Sequence, residues 1–223
     1  MMIYVMSDLH GEYDKFLKML DLIEFSSEDT LYILGDVLDR GNNSVKIIEY
    51  IRSSENIHML MGNHEQLFMM AYDNPVYMIH WIQNGGDISY KEMKEEGFDY
   101  MKEIYDYFSK LPMYKIIDKF ILVHAGIDIP SIADKLTIEE LMDIQSDEDL
   151  LWDREFVNSG NYYKDYTVIC GHTPTMNYMK DNKKAKILHS KGKIMIDCGA
   201  SFEESNGRLG CLRLDDLEEF YID

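Results

Sequence analysis

Three short apolar runs near the start of the chain, Ile3-Tyr4-Val5-Met6, Thr30-Leu31-Tyr32-Ile33-Leu34 and Ile57 to Leu60, each lead into a polar, glycine-bearing segment. Between them, Glu12 to Ile23 and Ser44 to Ile51 repeat apolar residues at helical spacing. Short runs rich in β-branched and aromatic residues, alternating with amphipathic helices, predict a β-α-β-α-β unit. Right-handed crossovers then give a largely parallel sheet, with the loops after the strands gathered along one edge. The polar segments of this chain fall in those loops.

From about residue 65 to 110 the pattern is helical, rich in Met, Tyr and Glu and broken by Asn84-Gly85-Gly86 and Gly97, which predicts a helical insertion or cap. Strand patterns return at Tyr114 to Ile117, Phe120 to Val123, Tyr166 to Ile169, Ala185 to Leu188, Lys193 to Ile196 and Gly210 to Leu214. These predict hairpin-linked antiparallel strands that extend or cover a second sheet. The fold class is therefore α/β, a layered sandwich. With 223 residues, no internal repeat and no linker, residues 1–223 are expected to form one domain.

Composition narrows the partners. Forty-one acidic against 22 basic side chains leave a net charge of −19, which argues against a protein that tracks nucleic-acid backbones. A phosphorylated substrate is compatible with that charge if metal ions and a few arginines supply the positive site. No stretch reaches the length of a membrane span, and Met1 to Ser7 lack both a basic leader and a long apolar core, so a cytoplasmic protein without membrane contact is expected. Cys170, Cys198 and Cys211 lack paired-ligand spacing and read as small buried apolar residues. The acidic stretches Asp143 to Asp149 and Asp215 to Glu219 read as solvated faces or helix ends, lacking the spacing of a calcium loop.

Five segments carry candidate chemistry: Asp8-Leu9-His10-Gly11, Gly35-Asp36-Val37-Leu38-Asp39-Arg40-Gly41, Gly62-Asn63-His64-Glu65, His124-Ala125-Gly126 and Gly171-His172-Thr173-Pro174. Each follows a predicted strand. Carboxylate, amide and imidazole donors suit manganese, iron or zinc, and the absence of clustered thiolates argues against a structural zinc knuckle. Taken singly, any one segment reads more readily as structural. All five at strand ends point to one binuclear metal site.

With these motifs, and with His80-Trp81-Ile82-Gln83-Asn84-Gly85-Gly86, Leu151-Trp152-Asp153-Arg154-Glu155 and Asp197-Cys198-Gly199-Ala200, the chain resembles the phosphoprotein phosphatase branch of the calcineurin-like metallophosphoesterases, of the bacterial and phage lambda phosphatase type. The resemblance implies a four-layer α/β/β/α sandwich of mixed sheets with a helical cap. It also implies two divalent ions, manganese first, with iron or zinc competing for the same donors. By the same resemblance Asp8 and His10 bind one ion, Asn63, His124 and His172 bind the other, and Asp36 bridges them. Arg40, Arg154 and Asn63 meet the phosphoryl group, and His64, supported by Asp39, faces the leaving group. The mechanism expected is in-line attack by a hydroxide bridging the ions, with His64 as general acid.

The reading that follows is a phosphomonoesterase acting on phosphoserine and phosphothreonine in proteins. Its alternative is a bis(5'-nucleosyl)-tetraphosphatase acting on a small nucleotide; a non-catalytic scaffold is the third. Asp39 and Glu65 match the phosphatase form of the second and third motifs, where the symmetrical tetraphosphatases typically lack that first Asp and end the third motif in Asp. Met61 and Ser7 depart from the phosphatase pattern, which usually has Arg and Gly there, without replacing a ligand. Of the other histidines, His58 and His189 read as structural or surface residues. His80 reads as packing beside Trp81, with lining of the cleft as the minority reading.

Overall fold

The computed structural model describes residues 1–179 and 183–223. Its first half follows the alternation of the sequence: β1 (Ile3–Met6), α1 (Tyr13–Leu22), β2 (Thr30–Ile33), α2 (Ser44–Ser53) and β3 (Ile57–Met59). β1 pairs parallel with β2, and β2 parallel with β3. The segment expected to be helical contains α3 (Asn63–Asp73), α4 (Met78–Trp81), a π-turn over Ile82–Gly86, α5 (Asp87–Glu96) and α6 (Phe98–Phe108). Gly85, at φ +98°, breaks the helical path inside that turn.

Next come β4 (Tyr114–Ile117) and β5 (Phe120–Val123), then α7 (Ile138–Asp143), α8 (Asp147–Leu151) and α9 (Glu155–Asn158). The chain finishes with β6 (Thr167–Cys170), β7 (Leu188–Ser190), β8 (Lys193–Met195), β9 (Leu209–Arg213) and β10 (Glu219–Ile222). Two five-stranded sheets result, ordered β10-β9-β1-β2-β3 and β4-β5-β6-β8-β7.

Two expectations for the second half need correction. β5, β6 and β8 run parallel to one another, so only the β4–β5 and β7–β8 pairs of the second sheet are antiparallel. The reason lies in the connections: β5 reaches β6 through three helices, a crossover, whereas Asp118 and Lys119 alone join β4 to β5. The strand expected at Ala185 to Leu188 begins only at Leu188, with Ala185 and Ile187 buried outside any ladder. The acidic stretch ending at Glu219 leads into β10, and the turn before it is tied by Arg213, whose Nε donates to Asp216 at 2.8 Å.

Alternation along the strands divides the interior. Val5, Leu34, Leu122, Ile169, Ile194 and Leu212 belong to one apolar cluster drawn from both sheets. Their strand neighbours Tyr4, Met6, Ile121, Val123, Val168, Cys170, Met195 and Cys211 belong to another, shared with Phe16, Met19, Ile47 and Ile48 of α1 and α2 and with Leu141 and Leu151 of α7 and α8. A period of two therefore puts one face of each sheet against the other sheet and the opposite face under helices. That is a mixed α/β sandwich with the strand-end loops at a common edge.

Candidate metal centre

Six residues in the polar loops have positive φ despite carrying side chains: Asp8 (53°), His10 (42°), Asp36 (54°), Asp39 (73°), Arg40 (68°) and His172 (62°). Left-handed backbone costs about 1–3 kcal/mol per residue, a strain that concentrates at functional sites. Here it turns the chain sharply enough to aim successive side chains inward. Close approach also demands glycine at two points. A Cβ on Gly62 would collide with the Asp36 backbone and carboxylate, and one on Gly171 with the Asp8 carboxylate and Ser7.

Asp36 is the shared element of two buried donor groups, His10-Asp36-His64 and Asp36-His124-His172, each with its donor atoms within 4.8 Å of one another. Asn63 adds a sixth side chain to the area through its Oδ1, 2.8 Å from His124 Nε2 and 2.9 Å from His172 Nδ1. Backbone carbonyls fix which nitrogen of each ring faces inward. His10 and His124 donate Nδ1–H to Leu38 and Leu34, both at 2.7 Å, leaving Nε2 for the site. His172 is reversed, donating Nε2–H to Trp152 O at 3.2 Å and presenting Nδ1. Such outer contacts are what a metal-binding imidazole requires.

Electrostatics separate the histidines. Burial, reinforced by the nearby Arg40 and His64 charges, holds His10 well below its usual range, and burial with His124 and Arg154 pushes His172 down to about 2. Both are therefore neutral, as ligands must be. For His64 burial opposes the charge, but the Asp36 charge and the Asp39 hydrogen bond outweigh it and raise the pKa. Burial would also raise Asp36, yet the His124, His64 and His10 imidazoles hold it well below the carboxylate range. The donor set fits divalent ions: one buried carboxylate shared between two groups of imidazoles.

The remaining predicted residues sit around this core. Asp8 points its oxygens at the His172 N–H, at 3.0 and 3.2 Å, and lies outside both donor groups, whereas His64 falls inside the first. His64 donates Nδ1–H to Asp39 Oδ2 at 2.7 Å. The Arg40 guanidinium lies 2.6 Å from His10 Nε2 and 3.0 Å from His64 Nε2. Arg154 is exposed at the rim, donating to His172 O at 2.9 Å.

Two supporting residues were legible in the sequence only as parts of motifs. Glu65, fully buried, accepts N–H groups from Asp36 (2.8 Å), Gly62 (3.1 Å), Val37 (3.0 Å) and Leu38 (3.2 Å), so it shapes the loop that carries Asp36. Trp81 donates its indole N–H to Asp39. His80 beside it is exposed, so it does not pack there as expected. His58 and His189 are exposed too, the latter paired with Glu219 at 2.8 Å, and the three cysteines are buried.

Glu65→Gln replaces one acceptor oxygen by an NH2 group facing two N–H donors. Each unpaired buried donor costs about 1–3 kcal/mol, so we expect a loss of roughly 3 kcal/mol in urea unfolding. An unchanged midpoint and slope would remove Glu65 from this role.

A family model for calcineurin-like phosphoesterases matches residues 1–196. The chain belongs to that family. Among curated relatives of this phosphoesterase, the symmetrical bis(5'-nucleosyl)-tetraphosphatase of Wigglesworthia glossinidia brevipalpis is 33% identical over 137 residues, 56% of this chain and 44% of the relative. The same enzyme of Cronobacter sakazakii is 26% identical over 141 residues, covering 57% and 45%. The match thus spans less than half the length of these relatives. A solved putative diadenosine tetraphosphatase superposes with a TM-score of 0.68 at 15% identity, covering 99% of this chain and 92% of that one. A protein serine/threonine phosphatase of Saccharomyces cerevisiae gives 0.64 at 16%, covering 96% and 72%. At such identities the superpositions speak for the phosphoesterase fold alone.

Proposed function

We propose that the chain is a binuclear-metal phosphoesterase whose substrate is a dinucleoside tetraphosphate. The observation that carries the reaction class is Asp36, buried and shared by two donor groups, with His64 of the first group bonded to Asp39. Asp36, His10, His124, His172 and Asn63 would hold the ions, with Asp8 on the His172 side. Two divalent ions supply Lewis acidity and bring the pKa of water toward neutrality. Arg40 presents a planar fork suited to phosphoryl oxygens, and Arg154 is the second cation at the rim. His64 carries the proton for the departing oxygen on Nε2, while Asp39 holds Nδ1–H.

The tetraphosphate assignment draws on the curated relatives, which share that activity by name. A second reading, a serine/threonine protein phosphatase, draws on the Asp39–His64 pair. An alkoxide is a poor leaving group that needs a proton, whereas a phosphate oxygen, with a second pKa near ~6, leaves with little help. Rates of the metal-loaded protein on diadenosine tetraphosphate and on a phosphoserine peptide decide between them. We expect kcat/KM to favour the tetraphosphate by at least about tenfold, equivalent to ~1.4 kcal/mol of transition-state discrimination. The reverse order would assign the phosphoprotein, and metal-loaded protein inert toward every phosphate ester would leave the scaffold. Manganese, and a cytoplasmic location, belong to the same proposal; among the described residues no helix is long and apolar enough to cross a membrane.

A further inference from the structure

Four contacts tie the helical insertion to the loop between β2 and α2. Gly85 O accepts the Arg40 N–H at 3.1 Å, and Ser89 Oγ accepts the Asp39 N–H at 2.7 Å. The Glu92 carboxylate accepts the N–H groups of Asn43 and Val45. These three hold backbone. The fourth lands on a side chain: the Trp81 indole N–H reaches Asp39 Oδ2 at 2.9 Å and Oδ1 at 3.1 Å.

Asp39 is 0% exposed, so water does not replace a lost donor there. Its Oδ2 receives both His64 Nδ1–H and the indole, and Oδ1 receives the indole. Without the indole, Oδ1 loses the donor that fixes the plane of the carboxylate, and a turn of that plane disturbs the bond from Oδ2 to His64. The indole itself is pinned by edge contacts with Phe68 at 5.4 Å and Tyr90 at 6.2 Å. Gly86 leaves room for it, since a Cβ there would overlap Nε1 and come within 2.5 Å of Cδ1.

We propose that Trp81 is a positioning residue for the proton donor: its N–H holds the Asp39 carboxylate in the rotamer that receives His64 Nδ1–H, so the imidazole presents Nε2 to the leaving group. The insertion is then part of the acid, and not only a cover over the site. The inference rests on the phosphoesterase reading for the role of His64, but the hydrogen-bonded chain can be tested apart from activity.

The experiment compares wild type, Trp81→Phe, Asp39→Asn and the double variant, all zinc-loaded, on phenyl phosphate and p-nitrophenyl phosphate. The His64 Nδ1–H signal is followed by nitrogen-15 histidine NMR. Trp81→Phe should lower turnover on phenyl phosphate by about tenfold, the scale of one hydrogen bond to a charged group. The nitrophenyl ester, whose leaving group needs little acid, should lose less than about twofold. The double variant should be no slower than Asp39→Asn alone, and the His64 signal should be lost or shifted in Trp81→Phe. Gly86→Ala, which crowds the indole without removing it, should reproduce the pattern and stands in if Trp81→Phe does not fold. An unchanged signal, or a Trp81→Phe loss that persists in full on Asp39→Asn, would overturn the inference while leaving the phosphoesterase reading intact. Wild type inactive on both esters would sink that reading, and the NMR comparison would still decide whether Trp81 holds the pair.

Discussion

Asp36→Asn should strip the protein of its ions and lower turnover by at least about a thousandfold, the equivalent of ~4 kcal/mol of lost charge stabilisation. Asp36 is the one side chain common to both donor groups, so removing its charge weakens both at once. Asparagine suits the test because it tolerates the left-handed backbone at φ +54° and keeps an oxygen for the His64 N–H, 3.0 Å away. The loop therefore survives while the charge does not. Two readouts follow: metal content per chain, and the rise in melting temperature on adding manganese, which wild type should show by mass action and the variant should lack. Retention of two ions per chain in Asp36→Asn would refute the shared-carboxylate arrangement. His10→Ala should act differently, weakening the first group while the second keeps all its donors.

What the sequence discloses about this site depends on how local each requirement is. Oxygen and imidazole donors placed just after a strand are a local signal, so Asp36, His124 and His172 are legible as polar residues ending apolar runs. The first three strands are legible for the same reason, each being short, apolar and punctuated by glycine. The direction of β5, β6 and β8 is not, because period-two alternation is identical for parallel and antiparallel neighbours; only the length of the connection distinguishes them. Glu65 and Trp81 are hidden for another reason. Their partners are set by tertiary docking: Glu65 meets backbone N–H groups 27 to 29 residues away, and Trp81 meets Asp39 at a separation of 42. Asp8 is legible as the polar residue just past β1, but the His172 N–H that its carboxylate accepts comes from 164 residues away and is set by tertiary docking as well.

His64→Asn should lower turnover on phenyl phosphate by roughly 100- to 10,000-fold, the usual worth of a general acid, with both ions retained. The dependence on leaving group carries more weight than the size of the loss. Phenolate, with a pKa near ~10, departs poorly without a proton, and nitrophenolate is a far weaker base, so the variant should be much closer to wild type on p-nitrophenyl phosphate. An equal loss on both esters would mean that His64 acts on the metals or on phosphate, a real alternative given its place in the first donor group. The same variant also weighs the two substrate readings. A tetraphosphate cleaved between phosphates releases a weakly basic oxygen, so His64→Asn should cost little there and much on a phosphoserine peptide. The Asp39 bond at 2.7 Å and the Trp81 contact behind it preserve a proton donor that an anhydride substrate scarcely needs. If the tetraphosphate is nonetheless the better substrate and its turnover also collapses in His64→Asn, the imidazole must stabilise charge on the transferring phosphoryl group, and the acid assignment falls.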